Sequence, residues 1–269
     1  MRFSPSRRKL LRLAAAGLVA ACSPACGPSS AGRPEPVPDE ERERLHRRGR
    51  LSSHPRPPVP SVPPSGLVPL QLSGSDRDGV LYVPPSYAHG TPAPMIVSLH
   101  GAGGSGRRSL ARLRDPADEL GLLLLSPDSR GTTWDVVRSG FGPDAEFLDR
   151  ALDLVFTRYA VDPSRIVAEG FSDGASYALS LGLLNGDLFT HVIAFSPGFV
   201  LAERRRGLPR CFVSHGVRDP VLPIDRCGRR IVRELRRDHY DVRYTEFEGG
   251  HVVPPAIARA AVDWLLSAG

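Results

Sequence analysis

The sequence predicts an α/β fold in which a mostly parallel central sheet carries helices on both faces. From about residue 66 onward, short apolar runs of strand length alternate with longer amphipathic runs of helix length. The first two apolar runs, at 68–72 and 80–83, have no helix between them and indicate an opening pair of strands. Strict strand and helix alternation after such a pair favours parallel strands joined by helical crossovers.

Each later element follows from its own local pattern. The run at 95–99 is unbroken and apolar, as expected for a strand that is buried on both faces of a sheet. Apolar positions at helical spacing predict a helix at 146–159. The remaining predicted strands are 122–125, 166–171, 191–195, 211–214 and 242–247, and the remaining predicted helices are 110–120, 174–184, 224–237 and 255–266.

Residues 1–21 are predicted to be an export signal, because five basic residues in the first twelve precede an apolar stretch at 13–21. That stretch is shorter than the roughly 20 apolar residues that span a bilayer. Residues 6–12 resemble a twin-arginine motif, and the sequence Val-Ala-Ala-Cys ending at Cys22 resembles a bacterial lipobox. We expect a cell-envelope lipoprotein anchored through Cys22; an ordinary cleaved signal would instead give a periplasmic or secreted protein.

Residues 22–65 are predicted to be a disordered, Pro-rich tether, which leaves 66–269 as a single catalytic domain. The tether segment is rich in Pro, Ser, Arg and Glu and poor in apolar residues, so it cannot offset the entropy of ordering. The chain has 35 basic and 29 acidic residues, but 1–65 hold 12 and 5 of them, which leaves 23 and 24 in 66–269. The near-neutral domain argues against a nucleic-acid partner.

Ser172 is the candidate nucleophile. The sequence GFSDG at 170–174 matches G-x-S-x-G, follows a predicted strand and opens a predicted helix, which is where a strained nucleophile turn must lie. A serine hydroxyl needs a base to remove its proton, and that base needs a carboxylate to orient it. Asp219 follows the strand at 211–214 and His251 follows the strand at 242–247. Because parallel strands end at one edge of the sheet, we expect Ser172, Asp219 and His251 to meet there.

The sequence LHGAGGSG at 99–106 predicts a loop with little side-chain bulk, so that its backbone N–H groups can approach a substrate. We assign the oxyanion of the tetrahedral intermediate to the amides of Ala102 and Asp173, with Gly103 as a substitute for Ala102. His100 is interpreted as a buried scaffold residue.

The motifs together resemble the α/β-hydrolase superfamily over about 68–269. The resemblance is to serine esterases of the phospholipase/carboxylesterase and polyhydroxybutyrate-depolymerase-like groups. It is carried by LHGAGGSG at 99–106, GFSDG at 170–174, SHGVRDPVLP at 214–223 and EGGH at 248–251. It implies hydrolysis of small to medium carboxylic esters without cofactor or metal. Many carboxylesterases of this group have glutamine where this chain has Asp173.

The connection between the strands at 191–195 and 211–214 is short, where lipases often insert a lid domain. We therefore expect no large lid and an open site for small-molecule esters. The choice among acetyl, feruloyl and polyester substrates stays open, as do thioesterase and peptidase activity and the oligomeric state.

Two other functions compete with this prediction. The loop at 101–106 also satisfies G-x-G-x-x-G with Asp128 downstream, which is typical of a nicotinamide-dinucleotide-binding oxidoreductase. The loop follows the third predicted strand instead of the first, which argues against that function. A non-catalytic exported binding domain on the same scaffold is the other alternative.

Trp134 and the cysteines are the remaining candidates. Trp134 lies in the loop after the strand at 122–125, where it would line the acyl pocket or anchor the loop. Cys211 and Cys227 are expected at opposite ends of neighbouring elements, so a disulfide between them is disfavoured.

Overall fold

The computed structural model describes residues 40, 41, 44, 47–138 and 140–267. The predicted export signal at 1–21 and the lipidation candidate Cys22 lie outside the described residues. Among the residues that are described, no helix is long and apolar enough to cross a bilayer.

Eight strands form one sheet within this part of the chain, and all eight were predicted. The sheet order is β1-β2-β4-β3-β5-β6-β7-β8. Strand β2 pairs antiparallel with β1 and β4, and every other pairing is parallel. The bounds are β1 Gly66–Pro69, β2 Gly79–Val83, β3 Ala93–Leu99, β4 Leu123–Pro127, β5 Val161–Phe171, β6 His191–Phe195, β7 Arg210–Gly216 and β8 Val242–Phe247.

Helices cover both faces of this sheet, as predicted. The helices are α1 Gly106–Ser109, α2 Arg114–Leu120, α3 Pro143–Arg158, α4 Asp173–Leu184, α5 Gly228–Arg237 and α6 Pro255–Leu266. Alternate residues of a strand point to opposite faces, so neighbouring residues of β3 belong to different cores. Met95 and Val97 belong to the core that α3, α4 and α5 cover, whereas Ile96 belongs to the core that α2 and α6 cover.

The predicted helix at 110–120 is wrong as a continuous element. The structure has α1, a 3₁₀ turn at Leu110–Arg112, and then α2. Leu113 separates the turn from α2 with φ −120° and ψ 0°. Pro116 explains the break, because a proline clashes with the carbonyl four residues earlier, here that of Arg112, in an uninterrupted helix. The same proline is tolerated in the first turn of α2.

The prediction of a disordered tether extending to residue 65 is also wrong. Residues 49–53 run across α3 and the end of α4, and Leu51 is only 4% exposed. The side chain of Asn185 accepts a hydrogen bond from the Leu51 amide at 2.9 Å and donates one to the Gly49 carbonyl at 2.7 Å. We call residues 49–53 the strap, and it belongs to the folded domain.

A second buried side chain holds the other half of the strap. Asp149 on α3 is 1% exposed and accepts hydrogen bonds from the Ser52 and Ser53 amides at 2.9 and 2.8 Å. The Ser52 hydroxyl donates to the same carboxylate at 2.6 Å. Composition failed to predict this order because polar contacts to buried side chains hold the strap, with Leu51 as its one buried apolar residue.

The connection from β6 to β7 at 196–209 contains no helix or strand, and its residues all lie in the described part of the chain. No lid domain is inserted there, as expected. Cys211 and Cys227 are buried and free, in agreement with the predicted absence of a bridge.

Candidate active site

Ser172 occupies a sharp turn between β5 and α4. Its backbone has φ 58° and ψ −120°, a conformation that is costly for a residue with a side chain. Its amide donates to the Phe195 carbonyl at 2.9 Å, and its carbonyl accepts from the Ser176 amide at 3.0 Å. The turn is therefore held from both β6 and α4 in a conformation that projects the Ser172 side chain out of the regular elements.

The two glycines of the motif make this turn sterically possible. A Cβ atom at Gly170 would lie 2.2 Å from the Gly174 carbonyl oxygen. A Cβ atom at Gly174 would lie 2.3 Å from the Leu99 carbonyl oxygen. Both distances are far below van der Waals contact, so only glycine fits at either position.

His251 and Asp219 lie beside Ser172. Asp219 follows β7 and His251 follows β8, and both strands end at the same edge of the sheet as β5. The His251 Nε2 and Ser172 Oγ atoms are 2.8 Å apart, and the His251 Nδ1 and Asp219 Oδ2 atoms are 2.7 Å apart. A carboxylate only accepts, so Nδ1 carries the hydrogen and Nε2 is left to accept from the Ser172 hydroxyl. The three predicted side chains thus form one continuous hydrogen-bond chain.

The surroundings of Asp219 favour its ionised form. It is 6% exposed, and its Oδ1 accepts hydrogen bonds from the Val221 and Leu222 amides, both at 2.9 Å. Burial alone would raise the pKa of Asp219, but hydrogen bonds from the Leu222 amide, His251 and the Val221 amide outweigh burial and hold this pKa below its ordinary value.

The other side of the imidazole packs against Phe171. The two rings are 4.7 Å apart between centroids, at an interplanar angle of 36°. Ser172 is 8% exposed and the His251 side chain 15% exposed, so the hydroxyl and the imidazole both border solvent. Phe171 therefore limits the movement of His251 from the face that Asp219 leaves open.

The predicted oxyanion donors lie around the same hydroxyl. A Cβ atom at Gly101 would lie 3.5 Å from the Ser172 Cβ, so the loop after β3 passes next to the nucleophile. Among the described residues, neither the Ala102 nor the Asp173 amide has a hydrogen-bond acceptor. The Asp173 amide is also the first of α4, where the helix dipole favours negative charge. The predicted substitute, Gly103, is wrong because its amide donates to the Thr132 carbonyl at 2.7 Å.

His100 is the scaffold residue that the sequence predicts. It is 2% exposed, its Nδ1 lies 2.7 Å from the Gly101 carbonyl oxygen, and its Nε2 accepts from the Ser129 amide at 3.0 Å. Burial lowers the pKa of His100, although the hydrogen bond to Gly101 opposes that effect. A neutral His100 thus fixes the start of the loop that carries Ala102.

Trp134 does not line the acyl pocket, so that interpretation is wrong. Its side chain is 1% exposed, and its indole N–H donates to the His100 carbonyl at 2.8 Å. The ring packs between His100 and Tyr177, with centroids 4.9 Å from each. Trp134 is the loop anchor that the sequence left as the alternative.

The geometry of the glycine loop argues against a dinucleotide site. Asp128, the residue that would bind a ribose, accepts hydrogen bonds from the Gly106 amide at 2.6 Å and the Asp78 amide at 3.1 Å. The helix that follows the loop, Gly106–Ser109, has only four residues and provides little dipole for a pyrophosphate. Asp128 holds the loop in place instead.

Sequence reasoning missed two side chains that support the site. The Thr133 hydroxyl donates to the Asp173 carboxylate at 2.6 Å, so the loop that binds Gly103 also holds the residue after the nucleophile. His215, in β7, is fully buried and approaches Asp219. Thr133 had no sequence signal, whereas the position of His215 four residues before Asp219 could have indicated its proximity. Asp225, the next carboxylate along the chain after Asp219, pairs with Arg229 at the surface and is not part of the site.

Comparisons with known proteins place the chain near esterases. No family model matches it. It is 28% identical over 160 residues to a protein of Aspergillus oryzae named "Probable feruloyl esterase C", covering 56% of this chain and 58% of that protein. It is 26% identical over 147 residues to an acetylxylan esterase of Coprinopsis cinerea, covering 49% and 39%. The chain thus spans little more than half the length of the first of these relatives and less of the second.

The solved structure of esterase PE8 has a similar fold. It matches with a TM-score of 0.59 at 22% identity, and the match covers 71% of this chain and 98% of that one. Together with the sheet order and the strained serine turn, this likeness defines the class: the chain has the α/β-hydrolase fold. Within that class, the relatives and structures to which it is similar are esterases.

Proposed function

We propose that this chain is a serine hydrolase that cleaves carboxylic esters through an acyl-enzyme on Ser172. The observation that carries the proposal is the hydrogen-bond chain from Ser172 Oγ to His251 Nε2 at 2.8 Å and from His251 Nδ1 to Asp219 Oδ2 at 2.7 Å. Esterases among its sequence relatives and structural neighbours add support.

In the acylation step, Ser172 Oγ attacks the ester carbonyl carbon while its proton passes to His251 Nε2. The resulting imidazolium is stabilised by Asp219, whose ionised carboxylate accepts a hydrogen bond from Nδ1–H. The oxygen of the tetrahedral intermediate accepts hydrogen bonds from the Ala102 and Asp173 amides, and such donors contribute several kcal/mol to the transition state. The imidazolium then returns its proton to the alcohol oxygen as the C–O bond breaks.

Deacylation repeats these transfers with water. His251 takes a proton from a water molecule whose oxygen attacks the acyl carbon, and the same two amides stabilise the second oxyanion. The proton on Nε2 then returns to Ser172 Oγ as the carboxylic acid leaves. Ser172, His251 and Asp219 are thereby regenerated.

We propose small to medium esters as substrates. Residues 196–209, which connect β6 to β7, form no lid domain over the site. Feruloyl and acetyl esters are the first to test, because the relatives carry these names. A panel of nitrophenyl esters of increasing chain length, with methyl ferulate, a thioester and a peptide anilide, would rank acyl size and separate esterase from thioesterase and peptidase activity.

The Ser172→Ala variant tests the mechanism. We expect kcat/KM toward nitrophenyl acetate to fall by about 10³-fold or more, because no nucleophile remains. The melting temperature should stay at or above that of the native chain, since alanine removes only the hydroxyl. Turnover close to that of the native chain would refute the assignment.

Covalent labelling distinguishes the competing functions. A fluorophosphonate probe should modify Ser172 in the native chain and leave the Ser172→Ala variant unlabelled. An oxidoreductase or a non-catalytic binding domain would not react at this serine, so failure to label the folded native chain would favour those functions.

We also propose that the domain is exported and anchored through Cys22, on the basis of the sequence motifs at 6–12 and 19–22. In a bacterial host, radiolabelled palmitate should enter the native chain and not the Cys22→Ser variant. Equal labelling, or none in either, would overturn the anchoring proposal and leave the catalytic proposal untouched.

A further inference from the structure

His215 is a buried group that the mechanism above does not use. It lies near the end of β7 and is 0% exposed. Its Nε2 atom is 2.7 Å from the Leu222 carbonyl oxygen and 3.3 Å from Asp219 Oδ2. The ring therefore lies beside the same carboxylate oxygen, Asp219 Oδ2, that His251 Nδ1 contacts.

The surroundings of this ring fix its protonation. Both neighbours of Nε2 are acceptors, so Nε2 carries the hydrogen. Nδ1 is buried and has no hydrogen-bond partner within the described chain, and a Cβ atom at Gly228 would lie 2.6 Å from it. A proton on Nδ1 would therefore be buried without an acceptor. Burial lowers the pKa of His215, although the Leu222 carbonyl and Asp219 oppose that effect. His215 is neutral, with its N–H directed at Leu222 and Asp219.

His215 completes a ring of donors around Asp219. The Val221 and Leu222 amides bind Oδ1, while His251 and His215 face Oδ2. Because His215 Nε2 also lies 2.7 Å from the Leu222 carbonyl oxygen, it contacts the turn at 219–222 at two points: the Asp219 carboxylate and Leu222, the residue whose own amide binds that carboxylate. Rotation of the Asp219 side chain away from His251 would also break the contacts of its carboxylate with the two amides and with His215.

We propose that His215 is a positioning residue, whose Nε2–H fixes the Asp219 turn so that Oδ2 points at His251 Nδ1. The proposal rests on the proposed function, in which Asp219 stabilises the imidazolium of His251. The titratable groups that face His215 are Asp219 after β7, His251 after β8, and Glu246 on β8.

A matched pair of variants, His215→Leu and His215→Gln, tests the role. Leucine fills the cavity without an N–H, whereas the glutamine amide can place an N–H near the position of Nε2. We expect His215→Leu to lower kcat by about 10- to 100-fold with little change in KM, because a small misplacement of a catalytic group can cost up to about 100-fold. His215→Gln should recover most of kcat.

The pH profile separates positioning from a merely structural role. If Asp219 is held less firmly, the imidazolium of His251 is less stabilised, so the acidic limb of kcat/KM should move to lower pH in His215→Leu and return in His215→Gln. Equal loss of kcat in both variants with an unmoved limb would overturn the proposal, as would native kcat in a folded His215→Leu variant. The matched control is His191→Gln, a buried histidine on β6 outside the site, which should leave kcat unchanged.

Two further measurements keep the test decisive. If His215→Leu does not fold, His215→Asn replaces it, because its amide is too short to reach both oxygens. If the native chain hydrolyses no ester, the proposed function fails by itself. The downfield proton resonance of the His251–Asp219 hydrogen bond, compared between the native chain and the His215→Leu variant, then still reports whether His215 positions Asp219. An unchanged resonance would contradict positioning.

Discussion

At the scale of single residues, the local sequence predicts most of the geometry of the turn that carries Ser172. Ser172 has a positive φ, and its flanking glycines each lie within 2.3 Å of backbone oxygen atoms, measured from where a Cβ would be. The positive φ of Ser172 and the close contact of Gly170 with Gly174 arise within one turn, so the pattern GFSDG could predict them, whereas the close contact of Gly174 is with Leu99 on β3. Thr133 escaped prediction because its contact with Asp173 joins two loops that only the folded chain brings together, whereas the spacing of His215 from Asp219 carried a signal that was not used.

Gly170→Ala should therefore disrupt the turn. The added methyl would lie 2.2 Å from the Gly174 carbonyl oxygen, so the backbone must move. We expect a loss of about 100-fold or more in kcat/KM, because small misplacements of catalytic groups are costly, and a lower midpoint of thermal unfolding. Gly74→Ala is the control, since a Cβ there meets nothing within 4 Å. Native activity in folded Gly170→Ala would contradict the steric account.

At the scale of elements, every strand was predictable and two connecting segments were not. Strands such as β3 are unbroken apolar runs that burial on both faces requires. The broken helix before β4 depends on the single ring of Pro116, which outweighs the apolar periodicity around it. The strap at 49–53 is specified by Asp149 and Asn185, far along the chain, and its own composition carries no sign of them.

Asp149→Ala tests how much the strap contributes to stability. The substitution removes the acceptor of the Ser52 and Ser53 amides and of the Ser52 hydroxyl. We expect a decrease of about 2–4 kcal/mol in the free energy of unfolding, because several donors at a buried site lose their partner. Urea unfolding measures this directly.

Asp153→Ala is the matched control on the same helix. Asp153 pairs with Arg56, but its side chain is 44% exposed, so its loss should cost less than about 1 kcal/mol. Equal losses in the two variants would show that the buried carboxylate is not what holds the strap.

At the scale of the whole molecule, the two cores on either side of the sheet enclose groups that couple stability to pH. His191, on β6, is 8% exposed and packs against Trp264. Burial, and then the nearby charge of Arg210, lower the pKa of His191 to about 4, although Asp241 opposes this. The unfolded chain binds a proton at this residue near pH 6.5, so it takes up the proton first as the pH falls.

The contribution of neutral His191 to the free energy of unfolding should therefore be complete above about pH 6.5 and should disappear as the pH falls toward 4. Asp135 has a raised pKa of about 6 through burial and the nearby Asp144, and it acts in the opposite direction. The comparison of the native chain with His191→Gln isolates the histidine. We expect the free energy of unfolding to fall less steeply between pH 6.5 and 4 in the variant, measured by urea titration at each pH. Identical slopes would mean that His191 does not carry this coupling.

The strap decides where this protein can be shortened. Composition alone would suggest starting recombinant chains at residue 66. That truncation would remove the Ser52 and Ser53 amides that donate to Asp149, and the Leu51 amide that donates to Asn185. A shortened chain should instead start no later than about Arg47, so that the proline-rich stretch before β1 stays with the folded domain that it helps to hold.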